Sequence, residues 1–308
     1  MQRIAAIDIG TNSVLLLIAE IHGGAPRPLV ERATITRLGQ GVDRTRTLAP
    51  EAIERTLACL RDYADEIAKH APSELHVVGT SAMRDAAGGA AFRERARGIL
   101  GVEPRVASGD EEAELTFLGS LSGLDARGEV LVFDVGGGST EIIVGDVPGD
   151  ASSASPRDKI SLDIGSVRLT ERHVCSDPPS EEELSRVRED VRSQLARVPF
   201  RPSGAVVGVA GTVTTIAAFA KDIVPYDGAR VHGAELTLDE LTRCTAELAR
   251  ISLDERRRLP AIEPKRADVI IAGAVLTAEV LRFCGADRMR VSDRGVRWGL
   301  VARAVAAR

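Results

Sequence analysis

Two segments of the sequence repeat one pattern and thereby limit the folds open to the chain. In each, an apolar run ends in an aspartate followed by one residue and then glycine, and Asp8 and Asp134 lie 126 residues apart. A second apolar run follows each glycine turn, so the pattern predicts a duplicated strand–turn–strand unit. The chain is therefore predicted to form two related lobes, residues 1–123 and 124–308, with the boundary in Ser122–Gly128 and with a final helix that can pack back on the first lobe.

Strand and helix patterns alternate through both halves, which is typical of the α/β class. The first half opens with strand patterns at Arg3–Ile9 and Ser13–Glu20, and an apolar stripe predicts a helix over Pro50–Lys69. Capping boxes that begin at Ser180 and Thr237 predict the starts of two later helices. The other predicted strands are Leu75–Gly79, Arg105–Ala107, Val130–Val135, Thr140–Val144 and Ala205–Val209, and the other helices are Ala90–Leu100, Glu111–Leu121, Ala267–Phe283 and Gly295–Ala306.

The composition argues against nucleic-acid binding. The 308 residues carry a net charge of −5, and aromatic residues make up 3% of them. Proteins that coat nucleic acid usually show an overall basic balance, and single-strand binders add aromatic stacking platforms. A polyanion would therefore be bound by local positive groups and backbone amides, and nucleic acid is not an expected partner.

The cysteines and the N-terminal residues favour a reducing, cytoplasmic location. The four cysteines form no CxxC pair and the five histidines show no HxH or HExxH spacing, so neither a zinc site nor a disulfide framework is expected. The chain enters a strand pattern at Arg3 without a signal-peptide pattern. The uncharged stretch Pro202–Ala220 reaches membrane-span length, but its glycines and threonines favour a buried strand, loop and helix, so no membrane contact is expected. Pro148–Pro156 is predicted to be a solvated hairpin tip.

Both repeated turns have the composition of phosphate-binding loops. Glycine lets a phosphate approach the backbone without a Cβ clash, and successive N–H groups of a tight turn can point into one concavity. An aspartate at the end of the preceding strand stays near a bound anion only if a cation lies between them, so Asp8 and Asp134 predict a Mg²⁺ site. Two ordinary glycine hairpins are the alternative. The predicted phosphate-binding residues are Gly10, Thr11, Asn12 and Ser13 in the first loop, and Gly136, Gly137, Gly138, Ser139 and Thr140 in the second.

A third turn of phosphate-binding type is formed by Gly211 and Thr212, which follow a buried-strand pattern. The segment Asp163–Ser166 resembles the first loop, but it has no matching partner and is predicted to be a structural hairpin. The sequence contains neither GxxxxGK[ST] nor a GxGxxG that opens a helix, so P-loop and Rossmann sites are excluded.

Two adjacent glutamates follow Gly109 at the start of a predicted helix. Hydrolysis of a phosphoanhydride needs a base beside the attacking water and cations on the phosphate oxygens. Glu111 and Glu112 are therefore candidates for the base, although acidic residues in a first helical turn also complement the helix dipole on a solvated face. Only one of the two can point into an interlobe cleft, since neighbours on a helix are about 100° apart.

Three further charged features are compatible with a polyanion site. Glu141 projects to the same strand face as Ser139 and can join Asp134 around one metal ion, or it is an exposed strand glutamate. Arg84 follows a strand and a Thr-Ser pair, so it is either a clamp for a second phosphate or a surface arginine. Three basic runs are interpreted as solvated faces rather than as a polyanion track. They are Arg256–Arg258, Lys265-Arg266 and Arg288–Arg290.

Six motifs, in order along almost the whole chain, resemble those of the exopolyphosphatase and guanosine pentaphosphate phosphohydrolase family. This family lies within the actin, hexokinase and heat-shock ATPase superfamily. The resemblance implies two ribonuclease-H-like (actin-like ATPase) lobes with the active site in the cleft between them. The chain stops shortly after the second lobe, without the C-terminal helical domains of longer members, which favours short chains as substrate. The motifs are Ala6–Ser13, Gly79–Arg84, Ser108–Ala113, Phe133–Glu141, Ala210–Thr212 and Val291–Gly295.

The resemblance also implies roles for individual residues. Glu112 would be the base that activates water, and Asp134 and Glu141 would be the carboxylates that hold the metal ion and position the water. The glycine loops would form the phosphate cradle, with Arg84 reaching the chain of phosphates. Mg²⁺ is the expected cofactor and a homodimer the family-based expectation.

The expected activity is hydrolytic release of terminal orthophosphate from inorganic polyphosphate. The closest alternative substrate is guanosine pentaphosphate or tetraphosphate, because removal of the terminal 5′ phosphate needs the same chemistry and a base pocket. A sugar kinase or actin-like ATPase with the same loops is a more distant alternative. A kinase would need an acceptor-binding insert and usually an aspartate base, and the sequence shows neither. A non-catalytic phosphate sensor would have no use for Glu112.

Overall fold

The structure, a computed structural model, describes residues 2–149, 154–201 and 204–307. The chain divides into two compact units, and the last helix of the sequence belongs to the first of them. Unit 1 is Met1–Gly119 with Val296–Arg308, and unit 2 is Ser120–Gly295.

Unit 1 is built on a mixed sheet with strand order β3-β2-β1-β4-β5 in the described residues. The central strand β1 pairs antiparallel with β2 and parallel with β4. The strands are β1 (Gln2–Ile9), β2 (Ser13–His22), β3 (Ala25–Ile35), β4 (Glu74–Gly79) and β5 (Arg105–Val106), and the helices are α1 (Val42–Thr45), α2 (Pro50–His70), α3 (Ser81–Asp85), α4 (Gly89–Leu100), α5 (Gly109–Leu121) and, at the end of the chain, α13 (Val296–Ala306).

Strand β1 is buried on both faces, and each face packs against different residues. Ile7 lies in a cluster with buried residues of α2 and α4, whereas Ala6 on the opposite face lies in a cluster with Leu115 of α5 and Trp298 of α13. Because side chains alternate along a strand, Asp8 lies on the same face as Ala6. The helix α13 therefore covers the strand face that ends in Asp8.

Unit 2 is built on a second mixed sheet with strand order β10-β11-β9-β6-β7-β8 in the described residues. Strand β6 pairs antiparallel with β7 and parallel with β9, as β1 does with β2 and β4. The strands are β6 (Gly128–Val135), β7 (Thr140–Val147), β8 (Ser155–Leu162), β9 (Ala205–Val209), β10 (Glu235–Thr237) and β11 (Arg288–Val291), and the helices are α6 (Ser166–His173), α7 (Glu181–Leu195), α8 (Ala210–Ala220), α9 (Gly228–Val231), α10 (Leu238–Ala249), α11 (Leu253–Arg257) and α12 (Ile270–Phe283).

The duplication predicted from the two aspartates is confirmed by the pairing register. Asp8 lies opposite Leu15 in the β1–β2 pair, and Asp134 lies opposite Glu141 in the β6–β7 pair. Asp134 follows Asp8 by 126 residues, and Glu141 follows Leu15 by the same number. In each unit a third antiparallel strand extends the meander, β3 in unit 1 and β8 in unit 2.

Several elements go beyond the sequence-based prediction. The strands β3, β8, β10 and β11 were not expected, while the capping boxes of α7 and α10 form as predicted. The uncharged stretch from Pro202 contains β9 and α8 from Ala205 onward, and residues 202 and 203 lie outside the described residues. No helix in the described part of the chain is long and apolar enough to cross a membrane. The hairpin tip predicted at Pro148–Pro156 includes residues 150–153, which also lie outside it.

Candidate functional site

The first glycine loop joins β1 to β2, and two of its carbonyl groups accept hydrogen bonds from the segment 36–39. The Gly10 N–H donates to the Ser13 carbonyl at 2.9 Å, which closes the turn. The Thr11 carbonyl accepts from Gly39 N–H at 2.9 Å, and the Asn12 carbonyl accepts from Thr36 N–H at 3.1 Å. In a trans peptide the C=O and the following N–H point in opposite directions. The N–H groups that follow these carbonyls therefore point away from residues 36–39, which is the arrangement of an anion-binding turn.

The second glycine loop joins β6 to β7 and is supported by the start of α6. Ser166 N–H donates to the Gly136 carbonyl, and the N–H groups of Val167 and Arg168 donate to the Gly137 carbonyl, each at 3.0 Å. The Arg168 guanidinium donates through Nε to the Gly138 carbonyl at 2.6 Å. The first N–H groups of a helix have no partner within it, and here the loop carbonyls accept from them. The N–H groups of the loop consequently face the opposite side.

The prediction of a structural hairpin at Asp163–Ser166 is wrong. The segment connects β8 to α6, and Gly165 packs directly on the second loop, since a Cβ there would lie 2.4 Å from the Gly137 carbonyl oxygen. The Ile164 carbonyl also accepts from the Thr140 hydroxyl at 2.7 Å. The resemblance to the first loop was coincidental, because the segment supports a phosphate-type loop rather than forming one.

Asp8 is a buried carboxylate at the end of β1. The residue is 8% exposed, and its Oδ1 atom has no hydrogen-bond partner among the residues that the structure describes. Burial raises the pKa of Asp8 to about 7, and the charge of Arg297 partly opposes this shift. A buried oxygen without a hydrogen-bond partner lowers the stability of the fold. A cation bound to that oxygen would offset this loss.

Asp134 and Glu141 are direct cross-strand neighbours in unit 2. Residues opposite each other in an antiparallel pair project to the same face with Cβ atoms about 5 Å apart. Both residues are partly exposed, and the Ser161 hydroxyl donates to Glu141 Oε1 at 2.8 Å. The two carboxylates that the sequence assigned to one metal ion therefore share one face of the sheet.

The acidic residues of the two loops suit Mg²⁺ better than they suit a metal ion whose ligands all come from the protein. The described residues contain no group of three or more His, Cys, Asp or Glu side chains placed to hold a metal. Mg²⁺ commonly binds through one or two carboxylates together with waters and substrate phosphates. Asp8 in unit 1, and Asp134 with Glu141 in unit 2, are the candidate ligands.

The two adjacent glutamates of α5 have different surroundings. Glu111 is bound by Arg105 and by Arg303, whose Nη1 lies 2.6 Å from Glu111 Oε1. The hydrogen bond from Arg105 is the main cause that lowers the pKa of Glu111, with Arg303 acting in the same direction. Two arginines thus hold Glu111 as the charged carboxylate, which leaves Glu112 as the candidate base of the pair.

Arg84 and Glu112, which the sequence put forward separately, are in contact. Arg84 Nη1 lies 3.1 Å from Glu112 Oε2 and also donates to the Ala107 carbonyl at 3.1 Å. Arg84 lies in α3, which begins at the carboxyl end of β4. Ser81, at the start of the same helix, is hydrogen-bonded to Thr11 of the first loop at 2.8 Å. Unit 1 thus links its glycine loop, an arginine and the candidate base through neighbouring elements.

The third turn, Gly211-Thr212, begins α8 and lies against an arginine that the sequence analysis misassigned. A Cβ on Gly211 would lie 1.9 Å from Arg266 Nη1, so the guanidinium occupies the space that glycine leaves. Gly273 of α12 similarly makes room for Thr212. Arg266 is therefore part of this site and not of a solvated face. The prediction was also wrong for Arg256, which is buried and donates to the carbonyls of Ala267, Leu248 and Ile251.

Comparison with known proteins agrees with the fold and the glycine loops described above. The sequence profile described as the Ppx/GppA phosphatase family matches residues 17–307. The chain belongs to this family. It is therefore a member of a family of phosphatases, and its two-unit α/β structure is the actin-like fold of the Ppx/GppA family.

Individual relatives match over nearly their whole length. The chain is 39% identical to exopolyphosphatase 2 of Mycobacterium tuberculosis over 318 aligned positions, covering 97% of this chain and 98% of the relative. A crystal structure of the Aquifex aeolicus Ppx/GppA family member matches with a TM-score of 0.84 at 36% identity, covering 99% of this chain and 98% of that one. An exopolyphosphatase structure from Cytophaga hutchinsonii matches with a TM-score of 0.89 at 26% identity, with the same coverage.

Proposed function

We propose that the protein is an exopolyphosphatase that hydrolyses the terminal phosphoanhydride bond of inorganic polyphosphate with Mg²⁺. The observation that carries the proposal is the pair of glycine loops of like construction. In each, loop carbonyls accept hydrogen bonds from one side, and an aspartate is the penultimate residue of the strand before the loop. Two anion-binding turns suit a substrate with successive phosphates, and the similarity to relatives named exopolyphosphatase supports the same substrate.

The reaction needs one base and one set of groups that neutralise charge. Glu112 accepts a proton from the attacking water as its oxygen bonds to the terminal phosphorus. The bond from that phosphorus to the bridging oxygen breaks, which releases orthophosphate and leaves the chain one phosphate shorter. Arg84, in contact with Glu112, stabilises charge on the phosphate oxygens. Mg²⁺ held by Asp134 and Glu141, with Asp8 as a further candidate ligand, would neutralise phosphate charge when bound.

Guanosine pentaphosphate is the second candidate substrate, and one exposed aromatic side chain favours it. Tyr226 is 46% exposed, and its hydroxyl donates to Asp293 Oδ1 at 3.0 Å. Asp293 lies two residues after the end of β11, in the motif Val291–Gly295 that the family resemblance includes. An exposed ring held by its hydroxyl is suited to stack on a nucleobase. That residues of both units act on one phosphate, and that the protein is a homodimer, remain predictions.

Phosphate release tests the proposal directly. Short polyphosphate, long polyphosphate, guanosine pentaphosphate and ATP are supplied at equal phosphate concentration, with Mg²⁺ or with EDTA, and ATP also with a sugar acceptor. Release from polyphosphate that stops in EDTA is expected. Preference for guanosine pentaphosphate would favour the second candidate. Transfer of phosphate from ATP to the sugar, without release of orthophosphate, would reject both.

The base assignment has its own test. Glu112→Gln keeps the shape of the side chain but cannot accept the proton, so turnover should fall about 10²–10⁴-fold. Substrate binding should persist, because the glycine loops are unchanged. Glu111→Asp is the neighbouring comparison, as it keeps a negative charge on the adjacent residue. Near-normal turnover of Glu112→Gln would show that another group is the base.

A further inference from the structure

An ion-pair network joins the first turn of α5 to the C-terminal helix. Arg303 of α13 contacts Glu111 through Nη1 at 2.6 Å and Glu114 through Nη2 at 3.2 Å. Arg105 of β5 contacts the other oxygen of Glu111. Glu111 is therefore held from two different elements, immediately before the candidate base in the sequence.

The same two helices are in backbone contact one turn away. Gly299 of α13 lies against the Leu115 carbonyl of α5, since a Cβ at Gly299 would be 2.1 Å from that oxygen. Gly299 precedes Arg303 by four residues, and Leu115 follows Glu111 by four residues, which is about one helical turn in each case. The glycine contact fixes the spacing of the helices, and the Arg303–Glu111 pair fixes the turn of α5 beside it.

The helix α13 is itself rigidly held. Trp298 is fully buried in the cluster with Ile4, Ala6 and Leu115. Its indole N–H donates to Glu31 Oε2 at 3.3 Å. A helix anchored in this way can serve as a fixed support for a partner.

We infer that Arg303 and Glu111 are positioning residues, which fix the first turn of α5 so that the Glu112 carboxylate is held ready for proton transfer. The inference rests on the proposed function. Glu112 is held on its other side by Arg84, which is tied to the Ala107 carbonyl. Because Glu111 is held by Arg303 and Arg84 is held by the Ala107 carbonyl, the Glu112 carboxylate between them keeps the geometry that proton transfer needs. A partly exposed ion pair adds little to stability, whereas a small misplacement of a catalytic group can lower a rate about 10²-fold.

Arg303→Gln tests the inference through the separation of kcat from KM. Arg303 has no role in phosphate binding here, so kcat for polyphosphate should fall about tenfold or more while KM stays within about twofold. Arg303→Lys keeps a positive charge that reaches Glu111, so it should recover part of the lost kcat. The matched control is Arg95→Gln, because Arg95 pairs with Glu54 at 2.7 Å on the same unit but contacts neither α5 nor α13 in that pair.

A double-mutant cycle separates positioning from a general loss of structure. Glu111→Gln should lower kcat as Arg303→Gln does, and the double variant should lose little more than either single change. Additive losses, an unchanged kcat in Arg303→Gln, or an equal loss in Arg95→Gln would overturn the inference. If Arg303→Gln were normal while Glu112→Gln lost activity, only the positioning role would fail. Normal turnover in both would instead remove the proposed base.

Discussion

The two units build their glycine loops alike but supply them with different acids. At the position opposite the strand-ending aspartate, unit 2 has Glu141 and unit 1 has Leu15. Asp8 is buried, with one oxygen lacking a partner in the described residues, whereas Asp134 is partly exposed. A duplicated strand–turn–strand unit thus kept its backbone construction while its side chains diverged. Two of the three proposed metal ligands thus lie in unit 2, while unit 1 has a single buried carboxylate and the candidate base.

For the comparison of the two units, the largest expected effect comes from making unit 2 like unit 1. Glu141→Leu replaces the carboxylate with the side chain found at Leu15, so one of the two acids on that face is lost. Turnover of polyphosphate should fall about 10²–10³-fold, because a proposed ligand of the Mg²⁺ that would stabilise transition-state charge is lost. Steady-state phosphate release over a range of Mg²⁺ concentrations measures it, and more Mg²⁺ should be needed for half-maximal activity.

The isosteric change Glu141→Gln separates charge from shape. It keeps the acceptor for the Ser161 hydroxyl but removes the negative charge. If the carboxylate binds Mg²⁺, the Gln variant should be nearly as impaired as the Leu variant. Wild-type Mg²⁺ dependence in Glu141→Gln would show that the asymmetry between the two units does not concern the metal.

The second prediction concerns the buried acid of unit 1. The folded pKa of Asp8 is about 7, against an ordinary value of 3.8. A raised pKa means that the folded protein holds the proton more tightly, so this contribution to stability is present at low pH and is lost as the pH rises towards 7. In metal-free protein, Asp8→Asn should be more stable than the wild type at pH 8. The advantage should widen by about 2–3 kcal/mol between pH 5 and pH 8.

Urea unfolding in EDTA at the two pH values measures that difference. Added Mg²⁺ should stabilise the wild type at pH 8, since a cation beside the ionised carboxylate offsets its burial, and it should stabilise Asp8→Asn less. Asp134→Asn is the comparison from unit 2, where the aspartate is partly exposed. An advantage of Asp8→Asn that did not change with pH would mean that Asp8 titrates as an ordinary carboxyl.

The sequence was informative where a function depends on local pattern and less so where it depends on distant contacts. The aspartates and glycine turns could be predicted because strand period and glycine spacing are local. The edge strand β3 was missed because most of its residues are exposed and it contains Pro26 and Pro28, which are unusual within strands. Arg266 was misassigned because its neighbour Gly211 is distant in the sequence. The helical period alone did not distinguish Glu111 from Glu112, and the preference for Glu112 came from the family resemblance.

The smallest expected effect concerns the two glycines that pack on the loops, Gly39 on the first and Gly165 on the second. Gly39 and Gly165 are also 126 residues apart, yet an added Cβ would meet different atoms. At Gly165 it would lie 2.4 Å from the Gly137 backbone oxygen, whereas at Gly39 it would lie 2.3 Å from the Thr11 Cγ2 methyl. A side chain can rotate away, but the backbone of the second loop must move. Gly165→Ala should therefore raise KM for polyphosphate about tenfold, and Gly39→Ala about twofold or less.

Both variants should fold, because neither glycine has a backbone conformation that excludes alanine. Phosphate-release kinetics at saturating Mg²⁺ measure the two KM values, and thermal unfolding checks that the folded fraction is equal. Equal KM values would mean that the second loop adjusts as readily as the Thr11 side chain. In that case, the hydrogen bonds from α6 to the loop carbonyls would not hold the loop in a fixed binding geometry, and the difference between the two units would lie only in their acids.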